Sequence, residues 1–448
     1  MIKFKRNNIE MIGLLGLIIY RVMLDVVYFN IISPVYAYAG FIDARDTGHL
    51  VVSWILFFVF YLFMRDIIFT EDDGIMHIVV MVLYCIVFVP FTSSVYMGFT
   101  TWAFVFWHSL YWIVFITIAR CAFYMPKKRL PVLKVSQLWL DDRIVVAIGV
   151  AAFFVVFFIS GRYAHFRLNF DLFSVYDLRL EARNFGMPTI MAYMFSWTKA
   201  INTIMLAYTL VRKRYELAAF FFAIQMLSFG IDGSKSTFFM PFLVIIAVVV
   251  YNIISSVALK LFVVYGLAGG SILALIEFLL LGSMNIATLF VRRLLFVPAL
   301  LNEQYFDYFT KNQPDYFRGS FLRIIGAESP YASDGGIARM IGRVYYGSNV
   351  MNCNNGLFSD AFSNLGYIGV FVMPAIIVFF LYVFDCSTCG LDKRIVLASG
   401  LFVSLNIMST SFTMVLLTHG FLVLILLTWM MNPENINEKK MENDYGIS

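Results

Sequence analysis

Charge is what this chain has least of. Of its 448 residues, 14% are Asp, Glu, Lys or Arg and 61% are hydrophobic. A soluble globular chain carries about a quarter charged residues and about half apolar ones, so an ordinary water-soluble protein is excluded. Cysteine is scarce as well: Cys85, Cys121, Cys353, Cys386 and Cys389. "CSTCG" at 386–390 is a lone C-x-x-C without a second pair, which argues against a metal or redox motif and leaves two thiols at a membrane edge. There is no Pro- or Ser-rich linker, no solenoid-type repeat and no separable soluble stretch, so residues 1–448 read as one domain. No small-residue cleavage site follows "MIKFKRNN", and the apolar run after it reads as a first span rather than a removable signal.

What the chain has instead is a series of apolar runs of the length that crosses a hydrocarbon core, roughly 17 to 25 residues each. Hydropathy sets spans near 10–32, 49–64, 75–92, 101–123, 144–161, 187–210, 216–231, 237–258, 261–282, 363–385, 394–410 and 412–431. The fold class is therefore an all-α polytopic membrane protein of about twelve transmembrane helices. Basic clusters choose its orientation. "KFKR", "RCAFYMPKKRLPVLK", "RKRYE", "DKR" and the terminal "NEKK" share one side, which the positive-inside rule makes the cytoplasm. Both termini are then cytoplasmic, and two loops, about 162–186 and 283–362, lie on the outer face.

These outer loops carry ten arginines against one lysine, Lys311. The first holds Arg162, Arg167, Arg179 and Arg183, and the second Arg292, Arg293, Arg318, Arg323, Arg339 and Arg343. Guanidinium is a planar fork that grips phosphate or carboxylate bidentately, whereas ammonium is a point charge. The bias points to an anion held near the headgroups. Pairing with Asp171, Asp177, Glu181, Glu303 or Asp307 is the plainer account of any single arginine, and snorkelling to lipid phosphate is another. The pair Arg292–Arg293 sits in "FVRRLLFVPALL", whose apolar residues are expected to lie in the membrane interface. Tyr, Phe and Asn in "YFDYFTKNQPDYFRGSF" and "YYGSNVMNCNNGLFSD" suit the faces and hydroxyls of a carbohydrate, although interfacial aromatics are common in any case.

Charges within or beside spans are costly and point to function by default. Arg21 falls in the first span and Lys199 in the sixth. Lys235 stands in the turn "GSKS", where backbone N–H groups are expected to join it around an anion. His49 and His165 fall near the outer face; His108 and His419 read as packed polar residues.

Three segments, "RRLLFVPALLNEQYFDYF", "GGIARMIGRVYYG" and "NNGLFSDAFSNLGYIGVFV", resemble the pattern of the Wzy-type oligosaccharide repeat-unit polymerases of O-antigen and capsule assembly. The last carries Ser359, Asp360, Ala361, Phe362, Asn364, Gly366 and Gly369. The turn at Lys235 is similar to a family G-S-R turn, with lysine in place of arginine. The motif-bearing part is about 230–370. The resemblance implies a glycosyltransferase C-like membrane fold in the bacterial plasma membrane, acting on undecaprenyl pyrophosphate-linked glycans at the outer face. It implies no metal, no cofactor and no nucleic acid, with membrane lipid and a chain-length regulator as partners.

The chemistry has three parts: hold the pyrophosphate leaving group, place an acceptor hydroxyl, and remove its proton. Arginine stabilises charge on the departing phosphate, and a carboxylate or histidine takes the proton. Asp360 is the first choice for that base, ahead of Asp334 and His165, with a helix cap as its plain alternative. Arg292 is assigned to the leaving group. Arg293, Arg162, Arg167, Arg183, Lys235, Arg339 and Arg343 are the expected substrate contacts. Rival readings are an O-antigen ligase, a metal-dependent glycosyltransferase using Asp43 and Asp46, and a flippase or transporter. The ligase would favour a histidine late in 283–362, where none occurs. The transporter would favour internal repeats.

The orientation is testable by labelling intact cells with a membrane-impermeant thiol reagent. Ser320→Cys should react from outside and Ser136→Cys should not; reaction at the second position reverses the topology.

Overall fold

The computed structural model describes residues 6–128, 142–168, 178–179, 181–182 and 184–431. These residues form helices joined by short turns, and no strand occurs among them. Ten of the helices are long and apolar enough to cross a membrane, so the chain is a multi-pass membrane protein by length and composition. The two remaining expected spans are helical as well. Thr189–Val211 carries Lys199 along its length, and Lys393–Ser409 is only 17 residues long and interrupted by Ser and Asn. Neither reaches the length and apolarity of the ten, a difference from the twelve expected.

Local chemistry fixes where the helices start. Asp46 accepts the amide of His49 at 2.8 Å to begin Thr47–Ile68, and Asp392 accepts that of Arg394 at 2.8 Å to begin Lys393–Ser409. Each satisfies one of the four donors a helix leaves open at its start. Gly98 ends Val89–Met97 with φ +77°, and a Cβ there would meet the Ala44 carbonyl oxygen at 2.2 Å. Only glycine fits both the left-handed backbone and that approach.

At the centre stands Ile75–Met97, buried along almost its whole length and packed among Thr47–Ile68, Trp102–Phe123, Gly369–Ser387 and Lys393–Ser409. It is not a uniform α-helix. A π-helical turn at Tyr84–Phe88 precedes Pro90, which has no N–H to give. Arg21 reaches it from the first helix, which explains a fully buried arginine in an apolar run. Its Nε donates to Thr92 Oγ1 at 3.0 Å, and Nη2 donates to the Thr92 carbonyl at 3.0 Å and to Ser53 Oγ at 3.3 Å. Nη1 pairs with Asp25, and the guanidinium lies 5.3 Å from the Trp54 ring. One side chain ties three helices together.

A second polar cluster closes one end of the bundle. Lys260 donates to the carbonyls of Thr70 and Asp72 at 2.5 and 2.9 Å. Asp385 accepts the Ile75 amide at 2.9 Å and pairs with Lys127 at 2.8 Å. Asp73 accepts from Tyr251 at 2.8 Å and from Ser256. The 26-residue helix Ser256–Leu281 starts here and runs to the opposite end, where Leu279, Leu280 and Leu281 are 69%, 78% and 76% exposed.

Removing one member of a buried pair costs about 3–5 kcal/mol, because the other is left charged and alone. Arg21→Met should therefore lower the melting temperature in detergent sharply, and Asp25→Asn less, since Arg21 keeps its bonds to Thr92 and Ser53. Equal melting of the Arg21 variant and wild type would show that the pair is dispensable.

Candidate functional site

The end opposite the Lys127–Asp385 cluster carries a cap built from residues 310–357. Asp315 organises it from a fully buried position. Its Oδ2 accepts the Gly319 amide at 2.7 Å, and its Oδ1 accepts the Ser329 hydroxyl. The turn is laced to Phe358–Leu365: Asp315 N donates to the Ser363 carbonyl at 2.8 Å, Tyr316 N to the Asn364 carbonyl at 3.0 Å, and Phe317 N to Asn364 Oδ1 at 3.1 Å. Tyr316 and Phe317 are both left-handed, with φ +53° and +60°. Two successive aromatic residues in that conformation store strain that the surrounding bonds hold in place.

Beneath this turn lies a cavity of about 760 Å³. Arg318, Arg323 and Glu328 face it from the cap, Asn352 and Asn354 from the chain after the Ile337–Tyr346 helix, and Asp360 from the floor. Thr410, Ser411 and Thr413 close the far side, where Lys393–Ser409 breaks and a short helix, Phe412–Leu417, begins. Gly356 lets the chain lie against that break, since a Cβ would meet the Ile407 carbonyl oxygen at 1.9 Å. Such a cavity is within the size range of small-molecule sites.

Asp360 is 3% exposed and has both oxygens engaged. Oδ1 accepts from Asn364 Nδ2 at 2.9 Å, and Oδ2 accepts the Phe412 amide at 2.8 Å. It caps the start of a helix 52 residues away, alongside its place in the cavity floor. Behind it runs a buried chain of bonds. Ser359 Oγ and Asn355 Nδ2 donate to Asn302 Oδ1 at 2.7 and 2.9 Å, and Asn302 Nδ2 faces His108 Nε2 at 3.5 Å. His108 is thus a packed polar residue within the bundle, as expected.

Other expected contacts are dispersed. Arg292 and Arg293 lie on a π-helical stretch, Ala287–Phe296, and are not among the cavity's lining residues. The Arg292 guanidinium sits 4.1 Å from the Tyr36 ring, and its Nε has no partner among the described residues. The expectation that "LLFVPALL" lies in the membrane interface is corrected. Leu295, Phe296, Pro298, Ala299, Leu300 and Leu301 are buried against protein, because this segment packs on the first helix, on Val89–Met97 and on Phe358–Leu365. Arg343 pairs with Asp334 at 2.8 Å. Arg339 folds over Gly335, which itself lines the cavity.

Arg162 stacks on Tyr163 at 5.3 Å. Arg167 pairs with Glu181 and donates to the Gly230 carbonyl at 3.4 Å. Lys235 is the first residue of Lys235–Ile253, but the turn before it is not an open anion nest: the Ser234 amide donates to Asp232 Oδ1 at 3.0 Å, and Lys199 pairs with Asp232 at 2.5 Å. Arg183, Asp171 and Asp177 lie outside the described residues. Asp43 and Asp46 are engaged by Arg45 at 3.2 Å and His49 at 2.7 Å. Among the described residues no group of three or more His, Cys, Asp or Glu could hold a metal ion.

The side chains that the sequence did not single out for a role are Asp315 and Glu328, and with them the part that Arg318 and Arg323 take in the cavity. The signal available was the stretch "DYFRGSFLR", a buried acid followed by a Gly-Ser turn between two arginines. No family model matches the chain, and neither a curated protein nor a solved structure does.

Near the site, Glu303 is buried with Oε1 accepting the Thr101 amide at 3.2 Å and Oε2 unpartnered among the described residues. Burial pushes its carboxyl up to about 7, against the opposing pull of the Thr101 bonds. A raised carboxylate favours the neutral folded form, so its cost to stability is absent below the unfolded value near 4.5, grows as pH rises, and is complete above about 7. Glu303→Gln, which keeps the acceptor for Thr101, should stabilise the protein at pH 8 by about 3 kcal/mol and change little at pH 4. Melting curves at the two pH values check this; an equal shift at both would deny the titration.

Proposed function

We propose that this protein is a Wzy-type oligosaccharide repeat-unit polymerase, a glycosyltransferase that joins undecaprenyl pyrophosphate-linked glycans at the outer face of the bacterial plasma membrane. One observation carries the proposal: a multi-pass apolar bundle holds, at one end, a polar cavity of about 760 Å³ lined by two arginines, several asparagines and carboxylates. A lipid-linked sugar pyrophosphate needs such a combination. Its anion calls for guanidinium, its hydroxyls for amide donors and acceptors, and its lipid tail for an adjoining apolar flank.

In this reading the cavity faces outward, both termini are cytoplasmic, and the bundle belongs with the glycosyltransferase C-like folds of about twelve spans. Arg318 and Arg323 grip the donor pyrophosphate. Arg318 is pre-positioned, with Nε bonded to the Asp315 carbonyl at 2.8 Å and Nη2 to that of Pro314 at 3.2 Å. That leaves Nη1 and the whole Arg323 guanidinium without a partner among the described residues. Donors fixed before the reaction stabilise charge on the leaving phosphate without reorganising. Arg292 and Arg293 lie outside the cavity, with Arg292 over the Tyr36 ring, and take a lesser part. The acceptor hydroxyl attacks the anomeric carbon of the donor, a C–O bond forms, and the bond from that carbon to the phosphate oxygen breaks with its electron pair on the leaving pyrophosphate.

The test is polymer formation by purified protein given lipid-linked repeat units with excess chelator. Products of several repeat lengths are expected, and Arg318→Ala or Arg323→Ala should slow their formation about 100-fold. Arg292→Lys and Arg293→Lys should have smaller effects. Transfer of glycan to a lipid A core without lengthening would favour the ligase instead, and activity restored only by magnesium or manganese would favour the metal-dependent enzyme.

A further inference from the structure

Resting on the polymerase reading, we infer that Glu328 is the proton acceptor of the reaction and that Asp360 holds the floor in place. Among the described residues, three carboxylates line the cavity: Asp315, Glu328 and Asp360. A general base needs a lone pair free to meet the acceptor hydroxyl. Asp315 does not present its oxygens to a substrate, since the Gly319 amide bonds one, the Ser329 hydroxyl bonds the other, and the residue is buried in the turn. Asp360 is in the same position, with Asn364 on one oxygen and the Phe412 amide on the other. Both are also almost fully buried, at 1% and 3% exposure. Glu328 is exposed, and no described residue bonds its carboxylate.

Position and access agree with this assignment. Glu328 sits beside Ser329, whose bond to Asp315 anchors that point of the cap to the turn carrying Arg318. The acid is therefore fixed at its backbone while its head remains free at the cavity wall. The charged groups that face the cavity with it are Arg318, Arg323, Asp315 and Asp360, and among the described residues no histidine or lysine lines it. As the new glycosidic bond forms, the proton of the acceptor hydroxyl passes to a Glu328 oxygen. The electron pair of the broken bond stays on the pyrophosphate, and the proton leaves Glu328 for solvent through the open side. No oxidant, reductant or metal enters the balance.

The experiment compares full-length wild type, Glu328→Gln and Glu328→Asp in nanodiscs, with lipid-linked repeat units as the probe. Loss of a base is worth about 100- to 10,000-fold in rate. Glu328→Gln should lose turnover on that scale with KM for the lipid-linked donor little changed, and with wild-type melting, because the side chain supports nothing in the fold. Glu328→Asp, which keeps a carboxylate at this place, should recover part of the turnover that Glu328→Gln loses. Wild-type turnover by Glu328→Gln, or a loss confined to KM, overturns the assignment while leaving the polymerase intact. No polymer from any form, wild type included, overturns the polymerase and the assignment together.

Discussion

The helix that begins at Phe412 follows a break in the chain, and its first amide has no acceptor within its own turns. In a bundle surrounded by lipid an unpaired amide costs several kcal/mol, so the break requires a partner from elsewhere. Asp360 provides it, and the whole cavity follows from that bond. The same carboxylate takes Asn364 on its other oxygen, and Asn364 in turn receives the Phe317 amide of the cap. Floor, far wall and roof of the cavity are thus joined through two adjacent turns of one short helix. The carboxylate also fixes the floor's geometry, because rotating it to meet anything in the cavity would release either the helix start or the cap.

The two ends of the bundle solve different problems with the same kinds of residue. At the Lys127–Asp385 end the charges are consumed by one another and by carbonyl groups of the loop after Ile68, which pins turns between helices. At the cavity end, backbone and side-chain bonds hold the loop, and among the described residues Arg318 Nη1 and the Arg323 guanidinium are left over. Arg21 belongs to neither end. It bonds Thr92, just beyond Pro90, while within the irregular stretch the Cys85 carbonyl accepts the Tyr20 hydroxyl at 3.2 Å.

Hydropathy and the length of the apolar runs made the helices legible. Every expected span falls largely on helix, because an apolar run in a membrane has no other way to satisfy its backbone, although the one near 237–258 crosses the break at 254–255 into the next helix. The irregular places were not legible. The π-helical turns at 84–88 and 287–296 leave no compositional trace, since one extra residue per turn changes spacing but not residue type. Asp360 stood out as a polar residue at a helix start, yet its partner Phe412 is 52 residues away and apolar, so no local pattern announces the bond. The outer-loop arginines were visible as a set, but which of them face a common space depends on the fold of 310–357. The Asp315 turn and the left-handed pair Tyr316–Phe317 set that fold, and propensity disfavours such a conformation at aromatic residues. "LLFVPALL" illustrates the remaining ambiguity: an apolar stretch beside charges looks the same whether lipid or protein covers it.

The helix Ser256–Leu281 has 26 residues, a length of about 39 Å against a hydrocarbon core of about 30 Å. Its three terminal leucines are exposed at the end that carries the cavity. The extra length is polar at both ends: Lys260 sits in the Thr70–Asp72 cluster and Glu277 accepts from Ser283, Asn285 and Ile286, so the charge-free run 261–276 is about 24 Å long. A bilayer meets a run shorter than its core by thinning, at a fraction of a kcal/mol for each ångström, so shorter acyl chains should gather on the flank of this helix without any specific headgroup being recognised.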